Sequence, residues 1–209
     1  MSLAVQFSEY GDSDVLRVVD VEPPTAGPGQ VRLAVRAAGV NPVDWKTMKG
    51  EMREQLSVRF PAGLGYDVAG VVDQVGPGVT GLKVGDEVLG MAPPSFGQFV
   101  VADPAALVAK PAALPWEMAG GLAGAGGAAW IGLELLAVAF REATTAGIQM
   151  HVGGSGPNLG RALRDLLPLI EQGRLRVPVS RTYPLREVAA ALDDSSAGHV
   201  RGKIVLLPN

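Results

Sequence analysis

The sequence predicts an α+β fold that is mainly β: a partly open barrel of short strands, then a few helices, without a complete doubly wound sheet. Three observations carry this. The first 110 or so residues are punctuated by glycines and prolines drawn from totals of 28 and 16, spread rather than clustered, as turns between short strands require. The segments between them alternate or run apolar over short lengths. Helical periodicity begins only after the strands.

LAVQF (Leu3–Phe7) reads as a first strand and VLRVVDVEPP (Val15–Pro24) as a second, stopped by its proline pair. QVRLAVRAAG puts Val31, Leu33 and Val35 on one face and Arg32 and Arg36 on the other, the pattern of a half-buried strand. DVAGVVDQVG, DEVLGM and GQFVVAD continue the series between the turns GPGVTG and KVGDE. NPVDWKTMKG predicts a short helix with Asn41 as N-cap and Pro42 at its first position. PWEMAGGLAGAGGAAWIGLELLAV (Pro115–Val138) predicts two helices broken near Gly124–Gly127, because each glycine weakens a helix by about 1 kcal/mol relative to alanine. GIQMHV (Gly147–Val152) reads as a strand. NLGRALRDLLPLIEQGR reads as a helix kinked at Pro168, PLREVAAALDDS as a short helix and KIVLLP as a closing strand.

Composition narrows the function classes. The chain has 209 residues, 47% hydrophobic and 19% charged, with a net charge of −3; it is too apolar for disorder and carries no basic footprint for a polyanion. Nucleic acid is therefore not an expected partner. There is no cysteine, which removes disulfides and thiolate metal sites. His151 and His199 have no carboxylates placed to complete a zinc site, so no metal is expected. No apolar run approaches the roughly 18 residues of a membrane span, and the N-terminus lacks a signal-peptide pattern; a cytoplasmic protein is expected.

AAGVNPVDWKTMKG (Ala37–Gly50), GLGYDVAGVVDQVGPGV (Gly63–Val79) and LKVGDEVLG (Leu82–Gly90) resemble the GroES-like barrel of a medium-chain dehydrogenase/reductase. The likeness is greatest to the zinc-independent quinone and enone reductase branch. It extends over about residues 1–138 and 148–209, with the join inside AVAFREATTAGI. The resemblance implies a barrel over 1–120, a crossing helix and join over 121–147 where a nucleotide-binding Rossmann domain would be inserted, and a C-terminal segment over 148–209 that packs back on the barrel. It implies NADPH as the parent family's cofactor, a quinone or enone as the small-molecule substrate, and a homodimer. One strand-plus-helix unit after residue 110 cannot make a doubly wound sheet, so tight NADPH binding by this chain is not expected.

The resemblance assigns Asn41 and Lys46 to catalysis and to the cofactor side of the pocket, with Asp44 and Tyr66 at the substrate. A reduced quinone or enone develops negative charge on oxygen, which an amide or ammonium donor stabilises. The bland reading of the same residues is that Asn41 caps a helix, Lys46 is solvated and Tyr66 packs on the barrel rim. Tyr66 stands where zinc-dependent relatives carry a histidine ligand. Ala128 stands where the family often has a threonine that touches the nicotinamide. Gly85 and Asp86 read as a structural turn.

GGSGPNLGRAL (Gly153–Leu163) imitates a phosphate loop, but its spacing and Pro157 argue against one. His199 with Asp193, Asp194 and Ser195 imitates a hydrolase relay without a nucleophile elbow. Arg201 and Lys203 read as exposed tail residues. The alternative function is a cofactor-free small-molecule binding or scaffold module, or a non-redox enzyme, on a repurposed reductase barrel.

Overall fold

The computed structural model describes residues 1–130 and 159–208. The expected strand at Gly147–Val152, the join, and most of the glycine loop at Gly153–Leu163 lie outside them. Among the described residues there are nine strands: β1 (Ser2–Gln6), β2 (Arg17–Val21), β3 (Val31–Val40), β4 (Asp67–Val75), β5 (Glu87–Met91), β6 (Phe99–Ala102), β7 (Leu107–Ala109), β8 (Val179–Pro184) and β9 (Lys203–Leu207). The helices are α1 (Pro42–Met48), α2 (Trp116–Gly120), α3 over residues 122–130, α4 (Leu159–Glu171) and α5 (Val188–Ser196).

β1 and β2 form a separate antiparallel pair, while the main sheet runs β7-β5-β4-β3-β9-β8 with β6 also paired to β3. β3 is long enough to serve two neighbourhoods. Val31–Ala37 pairs with β4, and Ala38–Val40 pairs with β9 from the C-terminus. β8 and β9 are parallel and joined through α5, a βαβ unit whose first strand, over residues 179–183, no local sequence pattern predicts. Edge position and partial exposure are the reason: β8 has no buried residue and no alternation to read.

Alternation in the sheet feeds two apolar cores, because both of its faces are covered. Val31, Leu33, Val35, Val68, Val72, Val88 and Leu107 point into one core, closed by Leu185, Val188, Leu192 and Ile204 of the C-terminal segment. Ala69, Leu89, Met91 and Val108 point the other way, under Leu159, Leu163 and Leu167 of α4 and Leu122 of α3. The KVGDE turn is structural, as expected: Gly85 adopts φ +95° and Asp86 accepts from the Lys83 N–H at 2.9 Å.

The expected helix break near Gly124–Gly127 is corrected. α2 ends at Gly120, Gly121 turns, and residues 122–130 are helical straight through those glycines. Two contacts move the break. A Cβ on Gly120 would stand 2.7 Å from the Ala37 Cβ, and one on Gly39 would stand 2.6 Å from the Gly120 carbonyl oxygen, so glycine at both positions lets α2 lie directly on β3. The Gly124 N–H then donates to Asp67 Oδ1 at 2.8 Å. A carboxylate from another strand thus satisfies a first-turn donor and complements the helix dipole.

Candidate functional site

The site grows from the end of β3. Asn41 is the N-cap of α1 with Pro42 at its first position, as the sequence predicts, and Asp44 Oδ2 accepts from the Asn41 N–H at 2.7 Å. That bond turns the Asp44 side chain inward, where it is fully buried. The Asn41 side chain does not cap the helix. Its Oδ1 accepts instead from Lys203 Nζ at 2.6 Å.

Lys203 is the residue the sequence reading misplaced. It is not an exposed tail residue: its side chain is 11% exposed, and Nζ also donates to the Val40 carbonyl at 3.0 Å and lies 3.5 Å from Asp67 Oδ2. The cause is register. β9 opposes Ile204 to Val40, which brings the preceding residue beside Asn41. Only the long-range pairing carries this information, and nothing local in GHVRGKIVL contains it. Arg201 is exposed as expected.

Asn41, Asp44, Asp67, Lys203 and the Gly124 amide therefore meet where β3, β4, β9, α1 and α3 all begin or end. Burial pushes the Asp44 carboxyl up to about 7 and raises Asp67 as well, while Lys203 acts in the opposite sense on both. Tyr66, half-buried at the start of β4, is raised by burial and by the Asp44 charge. Ser95 Oγ is buried without a hydrogen-bond partner, while the Gly65 backbone faces Asp44 and Thr47 faces Tyr66. Lys46 lies apart from this cluster. Its ammonium sits over the Trp45 ring, 5.4 Å from the centroid. The His199 relay does not assemble, since Asp193 accepts from Ser13, Asp194 accepts from Arg181 and Tyr183, and His199 is exposed.

Among the described residues, none is arranged to fit a dinucleotide. Among the described residues the parallel β structure is the β8–β9 pair alone, whereas a dinucleotide fold needs a run of parallel strands. Lys203 and Asn41 are already engaged with protein partners. Two surface cavities, of about 290 Å³ beside Arg36 and Trp116 and about 440 Å³ between β7 and α4, are not lined by Asn41, Lys46 or Tyr66. Among the described residues no group of three or more ligands is arranged for a metal ion. No described helix is long and apolar enough to cross a membrane.

Comparison with known proteins agrees with this architecture. Residues 27–129 match the alcohol dehydrogenase GroES-like domain. A chloroplastic quinone-oxidoreductase homolog from Spinacia oleracea is 34% identical over 158 residues, covering 73% of this chain and 45% of that protein. The 2-methylene-furan-3-one reductase of Solanum lycopersicum is 44% identical over 88 residues, 42% of this chain and 22% of that protein. The chain thus spans less than half the length of these curated relatives. The fold matches Escherichia coli quinone oxidoreductase complexed with NADPH at a TM-score of 0.77 and 16% identity, over 99% of this chain and 100% of that one. Residues 27–129 thus carry an alcohol dehydrogenase GroES-like domain to which the C-terminal strand β9 returns, and the chain is similar to the quinone oxidoreductases of the medium-chain dehydrogenase/reductase family.

Proposed function

We propose that the chain is the substrate-side domain of an NADPH-dependent quinone or enone oxidoreductase, and that as it stands it binds the dinucleotide weakly and has weak or no turnover. The carrying observation is that Asn41 and Asp44 are hydrogen-bonded to each other at the start of α1, with Tyr66, the residue before β4, within electrostatic reach of Asp44. These are three of the four residues that the resemblance assigns to the site. Lys46, held over Trp45, is the fourth, and it would have to leave that ring to act on a substrate oxygen or a cofactor. The tomato relative's name, a furanone reductase, supports an electron-poor enone as one substrate class; the spinach relative's supports a quinone. The proposal includes the division into a barrel over 1–120, a join over 121–147 and a returning segment over 148–209, a cytoplasmic location and a homodimer.

A chemical-shift titration with a para-quinone or a cyclic enone tests the substrate side without requiring turnover. Saturable shifts centred on Asn41 and Tyr66 are expected. Saturation at the cavity beside Trp116 instead, or no saturable shift, would reject the reading.

A further inference from the structure

β3 carries a bulge beside α2. Val35 opposes Gly70 and Ala37 opposes Ala69, so Arg36 is an extra residue with no partner on β4. Bulges re-aim the side chain they carry. Here the guanidinium borders a cavity of about 290 Å³ lined also by Val71, Glu87, Trp116, Glu117 and Leu207. Val71 follows Ala69 by two positions and Glu87 precedes Leu89 by two, which puts them on the outer-core face of the sheet. Glu87, Val71, Arg36 and Leu207 come from β5, β4, β3 and β9, neighbouring strands in that order. They form a floor. The first turn of α2, which packs across the same strands, forms the wall.

One buried charge ties floor to wall. The Lys110 side chain is 3% exposed, and its ammonium donates to Glu87 Oε2 at 2.9 Å and to the Pro111 carbonyl at 3.0 Å. The same ammonium lies 4.5 Å from the centroid of the Trp116 ring. Glu87 is thereby compensated and the indole is held in place. Arg36 and Glu117 are left over. Neither side chain has a hydrogen bond or ion pair among the described residues, so they do not pair with each other. An exposed guanidinium and a half-buried carboxylate therefore border one small cavity with opposite, uncompensated charges.

We propose that this cavity binds a small zwitterion of the amino-acid type, with its carboxylate on Arg36, its ammonium on Glu117 and its apolar body against Trp116, Val71 and Leu207. A guanidinium takes a carboxylate through two parallel N–H···O bonds, and a carboxylate takes an ammonium through a charge-assisted one. Charge selects against the alternatives. A phosphate or simple carboxylate would satisfy Arg36 but meet the carboxylates of Glu87 and Glu117. A simple amine would satisfy Glu117 and leave the guanidinium beside it uncompensated. The volume stands at the small end of ligand pockets, roughly 300–1,000 Å³, as a single amino acid requires. Asn41, Asp44 and Tyr66 do not line this cavity, so the site is separate from the one proposed for a quinone or enone.

Proton–nitrogen NMR of the full chain, read at the Trp116 indole N–H and the Arg36 side chain, tests the site with three probes at mildly acidic pH. L-leucine carries both charges, N-acetyl-L-leucine only the carboxylate and L-leucinamide only the ammonium. L-leucine should give saturable shifts at both positions, and each derivative should bind at least about tenfold more weakly, the scale of one lost charge-assisted bond. Arg36→Gln should reduce L-leucine to the level of L-leucinamide, and Glu117→Gln to that of N-acetyl-L-leucine. Neither side chain holds another part of the described chain, so both variants should melt with the wild type. No saturable shift with L-leucine, equal binding of either derivative, or undiminished L-leucine binding by either folded variant would overturn the proposal. The wild-type comparison of the three probes decides alone if a variant fails to fold. Loss of this site leaves quinone shifts at Asn41 and Tyr66 untouched, and their absence leaves L-leucine binding unchanged, so the two readings fall separately.

Discussion

The inner core and the polar junction beside it are built from the same strands by different logic. Core residues such as Val31, Leu33 and Val35 are buried because a period of two meets a two-layer fold, and each can lose a methyl group without orphaning a neighbour. The junction joins Lys203 to Asn41 across 162 residues and to Asp67 across 136. Every one of its members satisfies another's charge or donor. Apolar burial is therefore distributed and tolerant, whereas the junction fails as a unit.

Lys203→Met sharpens this contrast most. It leaves Asp44 and Asp67 buried without their cation, and a cost of about 3 kcal/mol in denaturant unfolding is expected, comparable to deleting a whole core side chain. Leu163→Ala in the outer core should cost about 2–5 kcal/mol, while leaving the Asp44 titration where it was. If instead the leucine variant shifted that titration, the two regions would not be separate.

Acidity gives the next effect. Burial raises Asp44 from 3.8 to about 7, and raises Asp67, so the folded state holds protons that the unfolded chain releases. Stability from this source is fully present below about pH 4 and is lost as pH rises through about 7, at no more than about 1.4 kcal/mol per pH unit for one group. Urea midpoints measured across that window should fall with rising pH in the wild type and flatten in Asp44→Asn. A wild-type midpoint that rises across the same window would contradict the buried neutral acid. The smallest effect belongs to the surface. Lys83→Ala removes an exposed partner of Asp86, and the unfolding midpoint should stay within error.

What could be read beforehand follows the same division. The strands through Ala102, the Asn41 cap, the KVGDE turn and the α4 and α5 helices are written in local periodicity and turn chemistry. The helix start at residue 122 was hidden, because the group that fixes it is Asp67 and not a neighbour in sequence. β8 was hidden by its lack of buried positions. Lys203 was hidden for the deeper reason that a lysine near a chain end carries no local mark of burial; only the pairing of Ile204 with Val40 reveals it. Asn41, Asp44, Lys46 and Tyr66 come from family resemblance; Asn41 and Asp44 are hydrogen-bonded at the start of α1, while Lys46 lies against Trp45.

Calorimetric titration of the purified chain with NADPH tests the central claim most directly. The account predicts no saturable binding at micromolar concentration, because the described residues provide one parallel strand pair and no fitted dinucleotide platform. Micromolar affinity accompanied by steady reduction of a quinone would contradict it.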